Sequence, residues 1–239
     1  GNNGLEAPLF PILPASFCLL PAAFCLLHSS FCIAVWAQHA GHVIPSVPQA
    51  LLERTLTIRT GIGAAHDDAG TASAEAQQFY DQGLAYLHSY VWIEAARSFN
   101  EALRRDANLA LAHVGLSYAY VELSKSTEAK KAIATAQSLA VKANRHIKAH
   151  VEARALQMAA EDAPRDAARL AAYRKALDAA IAAFPNDVEL VLKRGMAESP
   201  DPAERGQGSV LASLPFYERA LKISAPSAAL GSASSAALG

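Results

Sequence analysis

Lysine, arginine, aspartate and glutamate are missing from the 46 residues between Glu6 and Glu53, and all 21 basic residues lie from Arg54 onward. The start of the chain is therefore a different kind of polypeptide from the rest. Cysteine is confined to the same region, at Cys18, Cys25 and Cys32. A spacing of seven fits no zinc pattern, and the remainder of the chain has no thiol chemistry. Glycine occupies 13 of 239 positions and aromatic residues 7%, whereas alanine fills 53. That balance favours close-packed helices over sheets, so the expected fold class is all-α. A formal charge of −1 lacks the basic footprint of a nucleic-acid binder, and a 52% hydrophobic content excludes intrinsic disorder.

What is present divides into four stretches. Residues 1–37 hold an apolar run, Ala22 to Ala37, of 16 residues, close to a signal-peptide core and shorter than the roughly 20 residues of a membrane-spanning helix. Val35-Trp36-Ala37 places small residues at −3 and −1 of a cleavage site after Ala37. Export to the periplasm or outside the cell is the expectation, with no stable membrane insertion after cleavage. Two alternatives stay open: an uncleaved anchor, or a spurious extension. The chain begins at Gly1 without a positive leader, and SFCLLPA, AFCLLHS and SFCIAVW repeat every seven residues like a tandem duplication.

Residues 38–73 read as a linker. Thr55 to Thr60 alternates polar and apolar, which predicts a short extended segment packed on a helical body, and Gly61-Ile62-Gly63 reads as a turn. His66-Asp67-Asp68 carries ligand chemistry, but three adjacent side chains cannot all point inward, so a solvated loop is expected. The final stretch, 226–239, is uncharged low-complexity sequence, read as a linker or the edge of a fragment.

Residues 74–225 carry a repeat. An offset of 34 pairs Ala76 with Ala110, Gly83 with Ser117, Tyr86 with Tyr120, Glu94-Ala95 with Glu128-Ala129, Phe99 with Ile133, and Ala102 with Ala136. At that period each unit is an antiparallel helix pair. Small residues at Gly83 and Ala95 bring the two helices close, and aromatic or branched residues fill the space beside them. Tyr173 to Leu177, with Pro185 and Gly195, and then Phe216 to Leu221 look like later, distorted units. This segment resembles tetratricopeptide repeats of the bacterial exported type. It departs at the closing proline, where Ala107 and Val141 stand.

The resemblance implies a right-handed superhelical solenoid of about four units preceded by an extended segment. It also implies a concave face built by the first helix of each pair. Carried over, that face shows Gln77, Tyr80, Leu84, Leu87 and His88, then Leu111, Val114, Tyr118, Val121 and Glu122. Tyr80, Leu84, His88, Tyr118 and Glu122 are the candidate binding residues for a protein or peptide partner. Leu84 and Tyr118 replace the asparagines of the carboxylate-clamp subfamily, so a chaperone tail is not the expected partner.

Catalytic groups are harder to find. No Ser/His/Asp or paired-carboxylate spacing appears, so the expectation is a non-catalytic scaffold without cofactor or metal. One alternative is a repeat module of a larger, truncated and enzymatic protein. Another is a small metal enzyme using His39, His42, His66, His146 or His150. His146 and His150 are i,i+4 on a predicted helix and could share a metal, but no glutamate lies between them, and Arg145, Lys148 and Arg154 would repel a cation. Paired surface histidines on a basic helix is the plainer expectation. Arg205-Gly206-Gln207-Gly208-Ser209 lacks the lysine of a phosphate loop. From Lys125 to Arg154 the net charge is +5, a patch open to an acidic partner.

Overall fold

A computed structural model describes residues 46–198 and the helix 210–224. The chain divides after Pro45 into two units, and all of the described residues lie in the second. The export signal and its cleavage site, the three cysteines, His39 and His42, the 205–209 loop and the low-complexity tail fall outside the described residues.

Nine helices and no strand make up the regular structure among the described residues. They are α1 (Gln49–Leu52), α2 (Ala74–His88), α3 (Trp92–Arg105), α4 (Ala110–Glu122), α5 (Ser126–Ala140), α6 (Arg145–Glu161), α7 (Ala167–Ala183), α8 (Val188–Met196) and α9 (Val210–Ser224). From α2 to α8 each helix packs against the next, α8 packs against α9, and α4 touches both α2 and α6. Side-chain caps start several of them. Ser73 accepts from the Ala76 amide, Asn144 from Ile147, Asp166 from Ala168 and Arg169, and Asp187 from Leu190. No described helix is long and apolar enough to cross a membrane.

The repeat reaches into the turns. Tyr90 and Ser124, 34 residues apart, are the two non-glycine residues with positive φ among those described, at 61° and 58°. Each follows a first helix by two residues and closes it with the same pair of hydrogen bonds. The Tyr90 amide donates to Leu87 and Val91 to Tyr86, while Ser124 donates to Val121 and Lys125 to Tyr120. This is the left-handed cap that glycine normally provides.

Phe99 is the centre of the first core. Its ring fills the space where Gly83 and Gly115 lack side chains, so a Cβ at those positions would sit 2.5 and 2.4 Å from ring carbons. Gly83 therefore admits the Phe99 ring, in addition to any close approach of Ala95. Ala95, Ala102, Ala129 and Ala136 are fully buried, as close packing between neighbouring helices requires. A second core joins Ala153 of α6 to Tyr173, Leu177 and Ile181 of α7, Leu190 and Val191 of α8, and Ala220 of α9. Gly195 of α8 faces Phe216 and Tyr217 of α9.

Residues 54–73, the strap, run without regular structure across the helices. Thr55 to Thr60 forms no strand; side chains of α2 and α3 hold its backbone instead, because no neighbouring strand edge is there to pair with.

Candidate functional site

Two glutamines on α2 bind the strap by the same device. Gln82 accepts the Arg59 amide at 2.6 Å through Oε1, and its Nε2 donates to the Thr57 carbonyl at 3.4 Å and to Ser98 Oγ at 3.2 Å. Gln77 accepts the Ala69 amide at 3.0 Å, and its Nε2 donates to the Asp67 carbonyl at 2.8 Å and to Asp81 Oδ1 at 2.8 Å. In each case one carboxamide satisfies a carbonyl and the amide two residues later, as a neighbouring strand would. Arg97 adds bonds to the Arg54 and Thr55 carbonyls, and Asn100 to that of Leu52. Gly70, at φ 74°, lies flush on Ile147, where a Cβ would meet Cδ1 at 2.4 Å. A side chain here would have to push the end of Ile147 aside and adopt a φ that favours glycine.

The strap carries Asp67 inward while its neighbours His66 and Asp68 stay exposed. There it meets His146 and His150 of α6 and Asp187, the residue that caps α8. Asp187 Oδ2 lies 2.8 Å from His146 Nε2 and 2.7 Å from His150 Nε2, and the two Nε2 atoms are 3.2 Å apart. Asp67 Oδ1 is 3.4 Å from His146 Nε2, and its Oδ2 is 3.8 Å from His150 Nε2. One donor atom from each of the four residues lies within 4.8 Å of the other three. Tyr80 donates its hydroxyl to Asp67 Oδ2 at 3.4 Å, and Phe184 meets the His146 ring edge-on, with centroids 5.2 Å apart. Asp187 Oδ1 is engaged by the Leu190 amide, which turns Oδ2 toward the imidazoles.

A cleft of ≈ 450 Å³ opens on this cluster, lined by His66, Asp68, His146, Phe184, Asn186 and Asp187 among others. Hydrogen bonds to Asp187 and Asp67 outweigh burial and push His146 up to about 10, so with no metal bound it is an imidazolium at neutral pH. Burial alone would push Asp187 up, but His146 and His150 overrule it and hold the carboxyl well below the usual carboxylate range. The pair on α6 is thus not a surface pair. His150 is 3% exposed, and the exposed members of the basic set, Arg145 and Lys148, face solvent instead of the cluster. Arg154 is fully buried; it donates to Ser117 Oγ at 2.9 Å and to the Ser117 carbonyl, and its guanidinium lies 3.8 Å over the Tyr118 ring.

The five candidate binding residues take different positions. Tyr80 and Leu84 are buried in the first core, and burial together with Asp67 pushes the Tyr80 phenol well above its ordinary value. His88 Nε2 meets Glu189 Oε1 of α8 at 2.6 Å, and Lys193 donates to the same carboxylate at 3.0 Å. Burial pushes Glu189 up, but Lys193 and His88 outweigh it and hold it at about 2. Tyr118 donates to Gln157 at 2.7 Å beneath Arg154. Glu122 closes α4 at the surface. Tyr80, His88 and Tyr118 are therefore already engaged by the chain's own strap, α8 and α6. Spacing alone could not place Gln82 or Asp187 here, although an aspartate two residues after Pro185, just before Val188-Glu189-Leu190, carries the signature of a helix cap.

No protein-family model matches the chain, and comparison with curated proteins and with solved structures returns no match.

Proposed function

We propose that this chain is a TPR-like right-handed solenoid of about four helix pairs, an exported and non-catalytic scaffold that holds an extended protein or peptide segment on the face made by α2, α4 and α6. The observation that carries this reading is the Gln77 carboxamide bridging the Asp67 carbonyl and the Ala69 amide. A surface that satisfies both backbone groups of an extended chain binds polypeptide with little regard to its side chains, and a neighbouring pocket reads one of them. Here the residue read is an aspartate, so the partner is a short acidic segment that replaces the strap. The 34-residue recurrence of left-handed turns and buried alanines supports the repeat architecture, and the apolar, uncharged start supports export.

The strap then acts as an occupant in cis. Ala69 is buried, and Ala69→Glu displaces the strap without altering a helix. A labelled peptide copying residues 64–71, added to this full-length variant with a chelator present, binds in a fluorescence anisotropy titration. Gln77→Ala in the same background abolishes that binding, and the wild-type chain binds far less. A displaced-strap protein that keeps its helicity and melting temperature yet takes up no peptide contradicts the reading.

A further inference from the structure

We propose that Asp67, His146, His150 and Asp187 bind one divalent transition-metal ion of the zinc class. The four side chains come from the strap, two turns of α6 and the cap of α8, and their donor atoms converge on one point. Two imidazole nitrogens and two carboxylate oxygens form a borderline donor set that balances a doubly charged cation.

Without a metal the cluster is a hydrogen-bonded set of imidazoles and carboxylates, crowded at Asp187 Oδ2, which both rings approach within 2.8 Å. Each Nε2 offers either one proton or one lone pair. With both protonated, two N–H groups converge on Asp187 Oδ2 with their nitrogens 3.2 Å apart; with one deprotonated, its lone pair lies within 2.8 Å of that same oxygen. An ion at the centre accepts all four lone pairs at once. Tetrahedral bonds of about 2.1 Å place ligand atoms about 3.4 Å apart. The two imidazole nitrogens are 3.2 Å apart, and the Asp67 carboxylate approaches them at 3.4 Å through Oδ1 and 3.8 Å through Oδ2, close to that value. Asp187 Oδ2, at 2.7 and 2.8 Å from the imidazoles, retreats by about 0.6 Å to join them.

The surroundings fit as well. Asp187 is fixed by its helix-capping bond and Asp67 by the Tyr80 hydroxyl, the kind of outer bonding that orients metal ligands. The cleft beside His146, Asp67 and Asp187 gives the ion a route from solvent. Because Asp67 lies on the strap, the bound ion also ties that segment to α6 and α8. The site stands whether or not the strap shares its seat with a partner.

The test is titration of the chelator-stripped full-length chain with Zn2+, and with Co2+ as a spectroscopic probe. The expected result is one ion per chain, with the visible absorption of tetrahedral Co2+. His146→Gln and Asp67→Asn each weaken binding by at least about tenfold, the lower end of what even an outer-sphere change costs. Asp67→Asn lies outside the helices, so its folding is readily verified by circular dichroism, and His113→Gln on α4 leaves the affinity unchanged. A chain that takes up no ion overturns the proposal. So does uptake that survives either ligand variant at wild-type affinity.

Discussion

Phe99 shows how far a single side chain governs this molecule. Its ring sits in the gaps left by two glycines on different helices, Gly83 on α2 and Gly115 on α4, so the first two helix pairs are keyed to each other through one aromatic residue. Gly83→Ala puts a methyl group into the ring carbons and is expected to cost about 1–3 kcal/mol in urea unfolding. The same substitution in a Phe99→Leu background costs less, because the smaller side chain yields the space. Equal costs in the two backgrounds would mean that Phe99 is not what Gly83 accommodates. The small residue at 83 is visible in the 34-residue pattern, whereas Gly115 is not, since its counterpart at that offset is Asp81. A pattern built on repetition finds what the units share and passes over what differs between them.

At the scale of elements, α2 to α5 follow the periodicity and α6 to α9 drift from it. α7 begins at Ala167, seven residues later than a 34-residue step from Ser126 allows, because α6 starts one residue late, is four residues longer than α4 and is followed by a turn two residues longer. The ends of α2 and α4 are poorly marked in sequence for a physical reason. Tyr90 and Ser124 occupy the left-handed position where glycine is usual, so the strongest stop signal is missing. A left-handed conformation costs a side-chain-bearing residue about 1–2 kcal/mol, and glycine's extra backbone freedom returns about 0.5–1 kcal/mol of that. Ser124→Gly is therefore expected to stabilise the chain by roughly 0.5–1 kcal/mol in chemical denaturation, close to the difference of those two effects. Tyr90 is the less suitable position, since its ring meets Trp92 edge-on at 5.3 Å. A loss of stability in Ser124→Gly would show that the turn is held by the serine itself. The strap illustrates the complementary difficulty. Its alternation is legible as extended chain, but the groups that bind it are side chains of α2 and α3, and no local pattern announces a glutamine that will take a strand's place.

Across the whole molecule, the candidate site depends on residues 67, 146, 150 and 187, brought together only by folding. His146 and His150 are visible as a pair on one helical face. Their basic neighbours in sequence argue against a cation only while the orientation of Arg145 and Lys148 is unknown, and both point to solvent. The carboxylates come from a strap and a helix cap, whose positions follow from tertiary packing. Both functional readings rest on the same placement: the strap lies against α2, its backbone held by Gln77 and Gln82, with Asp67 turned inward. Amide hydrogen exchange by NMR measures this directly, since the Arg59 and Ala69 amides have side-chain acceptors as their partners. The predicted result is slow exchange at both amides in the wild-type chain, with protection of Ala69 lost in Gln77→Ala while the α2 and α4 amides keep theirs. Exchange of Arg59 and Ala69 at the rate of an unstructured loop would contradict the account.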